Sequence, residues 1–229
     1  MDTLREWLTT HNFNADNAEA TVCALLISTA LVYFLLFATT SNKATTVTQV
    51  LQIDRRSVED YSGPAPRAGI MTALKCAIHA PNHFLTEPWR FRLVGKEGKV
   101  TLGELANKFK PGEQFGSVPD FLVVSIAKNS KNKGEFKEWN LNGLEDHAAT
   151  ACAVQNFMVS CASQGIGTKW MTGKMGISGA DMLSKVCKID AEEHYMGTIL
   201  VGLPSVPMST MKVPNRKSGI GAPVFTTTD

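Results

Sequence analysis

The chain of 229 residues has no Cys-x-x-Cys pair, no Gly-x-Ser-x-Gly elbow and no cluster of basic residues. Each absence excludes a class of function. The five cysteines, Cys23, Cys76, Cys152, Cys161 and Cys187, are odd in number and widely spaced in apolar or helical contexts. That pattern predicts buried free thiols in a reducing compartment. None has the electropositive, accessible setting of a thiolate nucleophile. Gly176-Ile177-Ser178-Gly179 is one residue short of a serine-hydrolase elbow. A net charge of +2, with no alternation of basic and aromatic residues, leaves no nucleic-acid-binding face. His79 and His83 stand four apart, but Pro81 breaks any helix between them. No motif supplies a third ligand, so no metal is expected. In Gly165-Ile166-Gly167-Thr168-Lys169-Trp170-Met171-Thr172-Gly173-Lys174, Trp170 replaces the third glycine of a dinucleotide fingerprint, and a helix precedes the run where a strand is required. The same run is one residue too long for a P-loop, and Met175 follows Lys174 where Ser or Thr is needed. It reads instead as a glycine-capped helix stop and a short strand.

What is present suits one globular domain and a short extra segment, with 44% hydrophobic residues to build a core. Residues 1–20 are polar and acidic. Residues 21–39 are uncharged and apolar, about the length of a bilayer-spanning helix. Acids rather than bases precede this run, so it reads as an uncleaved anchor and not a signal peptide. Lys43, Arg55 and Arg56 follow it, which places the large C-terminal part on the cytosolic side of the membrane. Residues 40–45 form a polar linker, and residues 46–229 form the main domain.

Within that domain the spacing predicts a helix over Thr46–Ile53, with Val47, Val50, Leu51 and Ile53 inward, ending in Arg55-Arg56-Ser57. Two guanidinium forks and a hydroxyl in a row can hold a phosphate. Gly63-Pro64-Ala65-Pro66 is a rigid connection into a helix with Ile70, Leu74, Ala77 and Ile78 at helical spacing. Pro81 and Pro88 break the chain before a strand, Trp89–Val94, with Arg90 and Arg92 on its alternate face. His79, Asn82, His83 and Glu87 gather on that irregular connection, and loops on a rigid frame often carry sites. Gly95 to Gly98 reads as a turn, Thr101–Lys110 as a helix and Phe121–Ala127 as a central strand. Asn129–Lys137 is a polar loop, Glu145–Gln164 the longest helix, Asp181–Cys187 a short one, and Met196–Gly202 a last strand.

Ala80-Pro81-Asn82-His83 followed by Glu87-Pro88-Trp89-Arg90-Phe91 resembles the signature of the nitroreductase family of flavin enzymes, in its small, short-lidded bacterial branch. The resemblance implies an α+β fold, an α/β/α sandwich around a central mixed sheet. It implies FMN as cofactor, held by Arg55, Arg56 and Ser57 at its phosphate and by His79, Asn82, His83, Glu87, Trp170, Met171, Thr172 and Gly173. Family members often carry a base two residues after the Ser; Glu59 stands there instead. The stretch Val159, Ser160, Cys161, Ala162, Ser163, Gln164 and Gly165 matches one linked with NAD(P)H binding in that branch. The resemblance further implies a homodimer centred on the Glu145–Gln164 helix, whose alanines permit close approach, with His79 and His83 serving the partner's flavin. No side chain is required as a nucleophile, because the flavin carries the chemistry.

The implied activity is reduction of nitro, quinone or similar acceptors by NAD(P)H. Two alternatives stand beside it. Thr86-Glu87-Pro88-Trp89 also resembles iodotyrosine deiodinases, which are reductive dehalogenases with an N-terminal anchor. Those enzymes grip an amino-acid zwitterion with a Glu, Tyr and Lys lid. Between Phe121 and Glu145 this chain has Lys131, Lys133, Glu135, Lys137 and Glu138 but no tyrosine; its three are Tyr33, Tyr61 and Tyr195. The other alternative is a membrane-tethered flavin-binding protein with little turnover.

Overall fold

The computed structural model describes residues 28–29, 32, 51–109, 118–127, 141–173, 175–189 and 192–214. Two units are distinguished, Met1–Val50 and Leu51–Asp229. In the first, Ser28, Thr29 and Val32 are helical. The rest of the expected anchor lies outside the described residues, as do the polar loop Asn129–Lys137 and Cys23. Among the described residues no helix is long and apolar enough to cross a membrane.

The second unit begins with the helical residues 51–54. Strand β1 (Tyr61–Gly63) and helix α1 (Arg67–Ala77) follow, then a 3-10 turn at His83–Leu85, β2 (Trp89–Leu93) and α2 (Lys96–Phe109). Next come β3 (Asp120–Ala127), α3 (Leu141–Ser163) and β4 (Gly167–Met171). A helical turn at Gly179–Asp181 runs into a π turn at Met182–Val186, and β5 (Glu193–Pro204) precedes a last 3-10 turn at Met208–Thr210. The long β5 organises the sheet. It pairs antiparallel with β3 over Glu193–Val201, with β4 over Thr198–Gly202, and with β1 at its end, while β2 lies on the far side of β3. The sheet is therefore antiparallel where a mixed one was expected. Among the described residues a single parallel bridge, Ser57 to Thr168, joins it.

Helices cover both faces, so every residue of β3 from Phe121 to Ile126 is buried. On one face α1 and α3 enclose Ile70, Ala73, Ala77, Leu122, Val124, Ile126, Phe157 and Ile199. On the other, α2 and the π turn enclose Leu102, Ala106, Phe121, Val123, Met182, Leu183 and Leu200. Helix α3 buries Ala149, Ala153, Val154, Phe157 and Cys161, a stripe of helical period. Its opposite side leaves Ala148, Cys152 and Gln155 exposed. Gly165, at φ +71°, ends it in the left-handed conformation that glycine adopts without steric cost.

One irregularity sets the geometry of β5. Val124 faces Gly197 but Ser125 faces Tyr195, so Met196 is an extra residue, a β-bulge. Beyond the bulge Ile199 and Val201 point to the α3 face, whereas before it Tyr195 packs on the α2 face and Met196 on the α3 face. Strict alternation is thus reversed across the bulge. Gly197 sits at φ +149°, and a Cβ there would lie 2.3 Å from Nε1 of Trp170.

The structure corrects several sequence expectations. Lys96–Gly98 is the start of α2 rather than part of a turn, since Lys96-Glu97 opens the helix with an acid at its positive end. Tyr61–Gly63 is a strand that no run of β-formers announced. Ile78 and Ile53 are exposed, because the core stripe of α1 runs through Ile70, Ala73 and Ala77 and residues 51–54 end at the surface. Cys76 and Cys152 are exposed, Cys161 is buried and Cys187 half-buried. The described thiols are free, as expected, but two are not buried.

Candidate functional site

The helical residues 51–54 stop at Asp54 because the next residues turn toward the sheet. Val58 N–H donates to the Thr168 carbonyl at 3.0 Å, beside the Ser57–Thr168 bridge. This fixes Arg55, Arg56 and Ser57 at the start of β4. The Arg56 side chain is almost fully buried. Its Nη1 donates to the carbonyls of Ile53 at 2.7 Å and Arg55 at 3.1 Å. Its Nε–H is buried and has no protein partner. A guanidinium with two donors spent on carbonyls and another uncommitted is set to receive an oxyanion.

The three residues open onto a cleft of about 790 Å³, also lined by Glu59, Asp60, Ser205, Val206, Met211, Lys212 and Pro214. That volume is ample for a mononucleotide. Glu59, the acid where a base was expected, forms an ion pair with Lys169 of β4. Its charge is thereby offset at the cleft edge. Lys212 adds a further cation to the wall. Sequence reasoning missed Ser205, Met211 and Lys212, since no spacing links them to residues about 150 positions earlier; they arrive because β5 ends beside β1. The residues present thus fit a phosphate-bearing ligand: an uncommitted buried donor, a second arginine, a hydroxyl and a lysine.

The other expected residues fall in two further places. Trp170 and Met171 end β4, with Thr172 and Gly173 exposed just beyond. Met171 points into the α2-side core and is largely buried. Trp170 packs partly buried on the α3 side, its indole N–H over Gly197 without a hydrogen-bond partner. Four residue steps from Thr168 to Thr172 span roughly 13 Å along the strand.

The second place is the loop between α1 and β2. Here Asn82 Oδ1 accepts from Glu87 N–H at 3.0 Å, and His83 Nδ1 lies 2.7 Å from Glu145 Oε2 on α3. His79 and Glu87 are exposed. Strands β3 and β5 stand between β2 and β4, three strand spacings or roughly 14 Å. One chain therefore does not gather all the expected residues in one cleft. Of the stretch Val159–Gly165, Cys161 is fully buried, and burial, with Cys76 nearby, pushes its thiol up to about 12. Gln164 donates to the carbonyls of Gly69 and Ser160, while Ser163 and Gly165 are exposed. Among the described residues no group of three His, Cys, Asp or Glu could hold a metal.

The sequence model described as "Nitroreductase family" matches residues 53–203. A Bacillus subtilis (strain 168) protein named "Putative NAD(P)H nitroreductase YfhC" is 33% identical over 137 residues, which is 53% of this chain. The match spans 66% of that relative, just under two thirds of its length. Among solved structures, the FMN-dependent nitroreductase NfnB from Mycobacterium smegmatis, in complex with NADPH, superposes with a TM-score of 0.62 at 12% identity, covering 81% of this chain and 100% of that one. The Desulfovibrio desulfuricans protein described as "a putative nitroreductase in complex with fmn" gives 0.61 at 19% identity, covering 80% and 98%. At these identities the superpositions establish a shared fold.

Proposed function

The chain belongs to the nitroreductase family, and from that premise we propose that it is an FMN-dependent oxidoreductase taking hydride from NAD(P)H and passing it to nitro, quinone or similar acceptors. The observation that carries this reading is the cleft at Arg55, Arg56 and Ser57, where the buried Arg56 keeps an uncommitted N–H. Arg55, Arg56, Ser57 and Lys212 would hold the terminal phosphate, and Trp170 to Gly173 would flank the remainder of the ligand. When bound, a flavin accepts a hydride from one substrate and releases it to another. The protein's part is to bind, orient and shield. A single phosphate cradle, with no adenosine motif in the sequence, favours FMN over FAD.

The separation of the Asn82–Glu87 loop from the cleft supports a homodimer in which that loop of one copy completes the site of the other. The uncharged run at residues 21–39 supports an N-terminal membrane anchor with the catalytic domain on the cytosolic side. Heat release of the cofactor and its identification by mass test the central claim. FMN in near-equal amount to protein is expected; FAD, or no flavin from folded protein, overturns it. Steady-state assays order the substrates. Faster turnover of iodotyrosine than of any quinone or nitro compound would favour the deiodinase reading that Thr86-Glu87-Pro88-Trp89 suggests.

A further inference from the structure

The imidazole of His83 is half exposed, yet four features hold it in one orientation. Its Nδ1 lies 2.7 Å from Glu145 Oε2. Its ring stacks on Phe84, with centroids 4.0 Å apart and planes 24° apart. Phe84, Leu85 and Glu87 all take positive φ, +53°, +52° and +42°, which folds the Phe84 ring back over the histidine. Two hydrogen bonds strap the loop down: Glu87 N–H to Asn82 Oδ1, and Thr86 Oγ1 to Asp146 Oδ1 at 2.9 Å. Asp146 is buried at the head of α3.

Magnitudes show what this arrangement is not for. The left-handed region is strained for a residue other than glycine, and three such residues occur in four positions. A solvent-exposed ion pair returns little by comparison. The His83–Glu145 pair therefore does not offset the strain that positions it, and strain of this kind collects at functional sites.

A carboxylate only accepts, so Nδ1 carries the hydrogen and Nε2 is the ring atom left for a molecule arriving from solvent. We infer that His83, oriented by Glu145, delivers a proton from Nε2 to the electron acceptor. This inference rests on the oxidoreductase reading above. A bound flavin would supply the hydride with its electron pair. The donor is the doubly protonated imidazolium: its Nε2–H bond breaks, leaving the neutral Nδ1–H tautomer, and an O–H bond forms on one acceptor oxygen; that proton and the hydride together turn a quinone into its hydroquinone. His83 then regains a proton from water. Glu145 is the charged group in contact with the imidazole; Asp146 bonds Thr86 of the same loop, and Arg90 Nη1 donates to the Glu87 carbonyl at 3.0 Å. His147, further along α3, is held below the usual histidine range by burial and by His194. Glu145 is a positioning residue; His83 is the group that touches the acceptor. With roughly 14 Å of sheet between the loop and the cleft of its own chain, the site served is that of the second copy.

Two measurements on the full-length protein test this. Stopped-flow with NADH and then p-benzoquinone separates flavin reduction from flavin oxidation. His83→Gln should slow the oxidation step about 100-fold, far more than it slows reduction by NADH, and abolish the solvent deuterium isotope effect on oxidation. Nitrogen-15 NMR should find His83 as the Nδ1–H tautomer, and Glu145→Ala should remove that preference. An unchanged oxidation rate in His83→Gln, or an Nε2–H tautomer in the wild type, overturns the inference while leaving the oxidoreductase reading intact. A wild-type protein that holds no flavin or reduces no quinone overturns both.

Discussion

At the scale of single residues, Arg56 is the side chain on which the phosphate site depends. Hydrogen bonds to charged groups contribute about 1.5–3 kcal/mol, so Arg56→Ala should weaken FMN binding at least about tenfold. Quenching of flavin fluorescence during titration measures this, and an unchanged Kd would reduce the arginine pair to a helix end. The adjacent Arg55-Arg56-Ser57 was legible because those side chains are chemically suited to one anion and follow one another in sequence. Lys212 was not, because only the folding of β5 brings it near. The pairing of Glu59 with Lys169 was equally hidden, and it explains how an acid is tolerated beside a phosphate site. Exposure of Cys76 and Cys152 was also illegible: a cysteine among small helical residues looks the same on either side of a helix.

At the scale of elements, long periodic segments declared themselves and irregular ones did not. Helices α1 and α3 and strands β2 and β3 follow directly from the spacing of their apolar residues. The bulge in β5 has no sequence signature beyond a glycine, and β1 is too short to show one. Gly197→Ala tests the bulge. The new methyl would meet the Trp170 indole and force an unfavourable φ. A loss on the order of 3 kcal/mol is expected, a fall in Tm of about 6–12 °C by calorimetry, with a shift in tryptophan fluorescence. A second test concerns the clamp across β2, β3 and β5. Arg92 makes a two-pronged pair with Glu193 at 2.6 and 2.7 Å, and Ser125 hydrogen-bonds both. Burial alone would raise the Glu193 carboxyl, but the bonds from Arg92 and Ser125 outweigh it and hold it below the usual carboxylate range. A depressed carboxyl stabilises the fold above its unfolded value and loses that contribution as pH falls through its folded one. Glu193→Gln should therefore cost about 1–3 kcal/mol at neutral pH. The gap to wild type should narrow below about pH 4.5, as followed by urea unfolding across pH; a constant gap would remove the carboxylate's role.

At the scale of the whole molecule, the two faces of α3 divide its work. One is packed into the core; the other shows Ala148, Cys152 and Gln155 to solvent. If the proposed homodimer forms on that side, light scattering of residues 46–229 should give twice the chain mass, and Cys152 should resist alkylation while Cys76 reacts. A flavin-bound monomer with both thiols reactive would refute it. The bulge has a consequence at this scale as well. It acts as a frameshift written into three dimensions. Downstream of Met196, β5 is read in one frame, which sends Ile199 and Val201 toward α3. Upstream it is read in the other, which sends His194 toward His147 of α3 and Glu193 toward Arg92 on the opposite face. One surplus residue thus lets a single strand supply apolar side chains to a core at one end and a charged clamp at the other. A lineage that lost it would keep one half of the message and transpose the other, trading Glu193 and His194 across the sheet while Ile199 and Val201 stayed in place. The position of Met196 is therefore constrained less by what its side chain does than by its being counted.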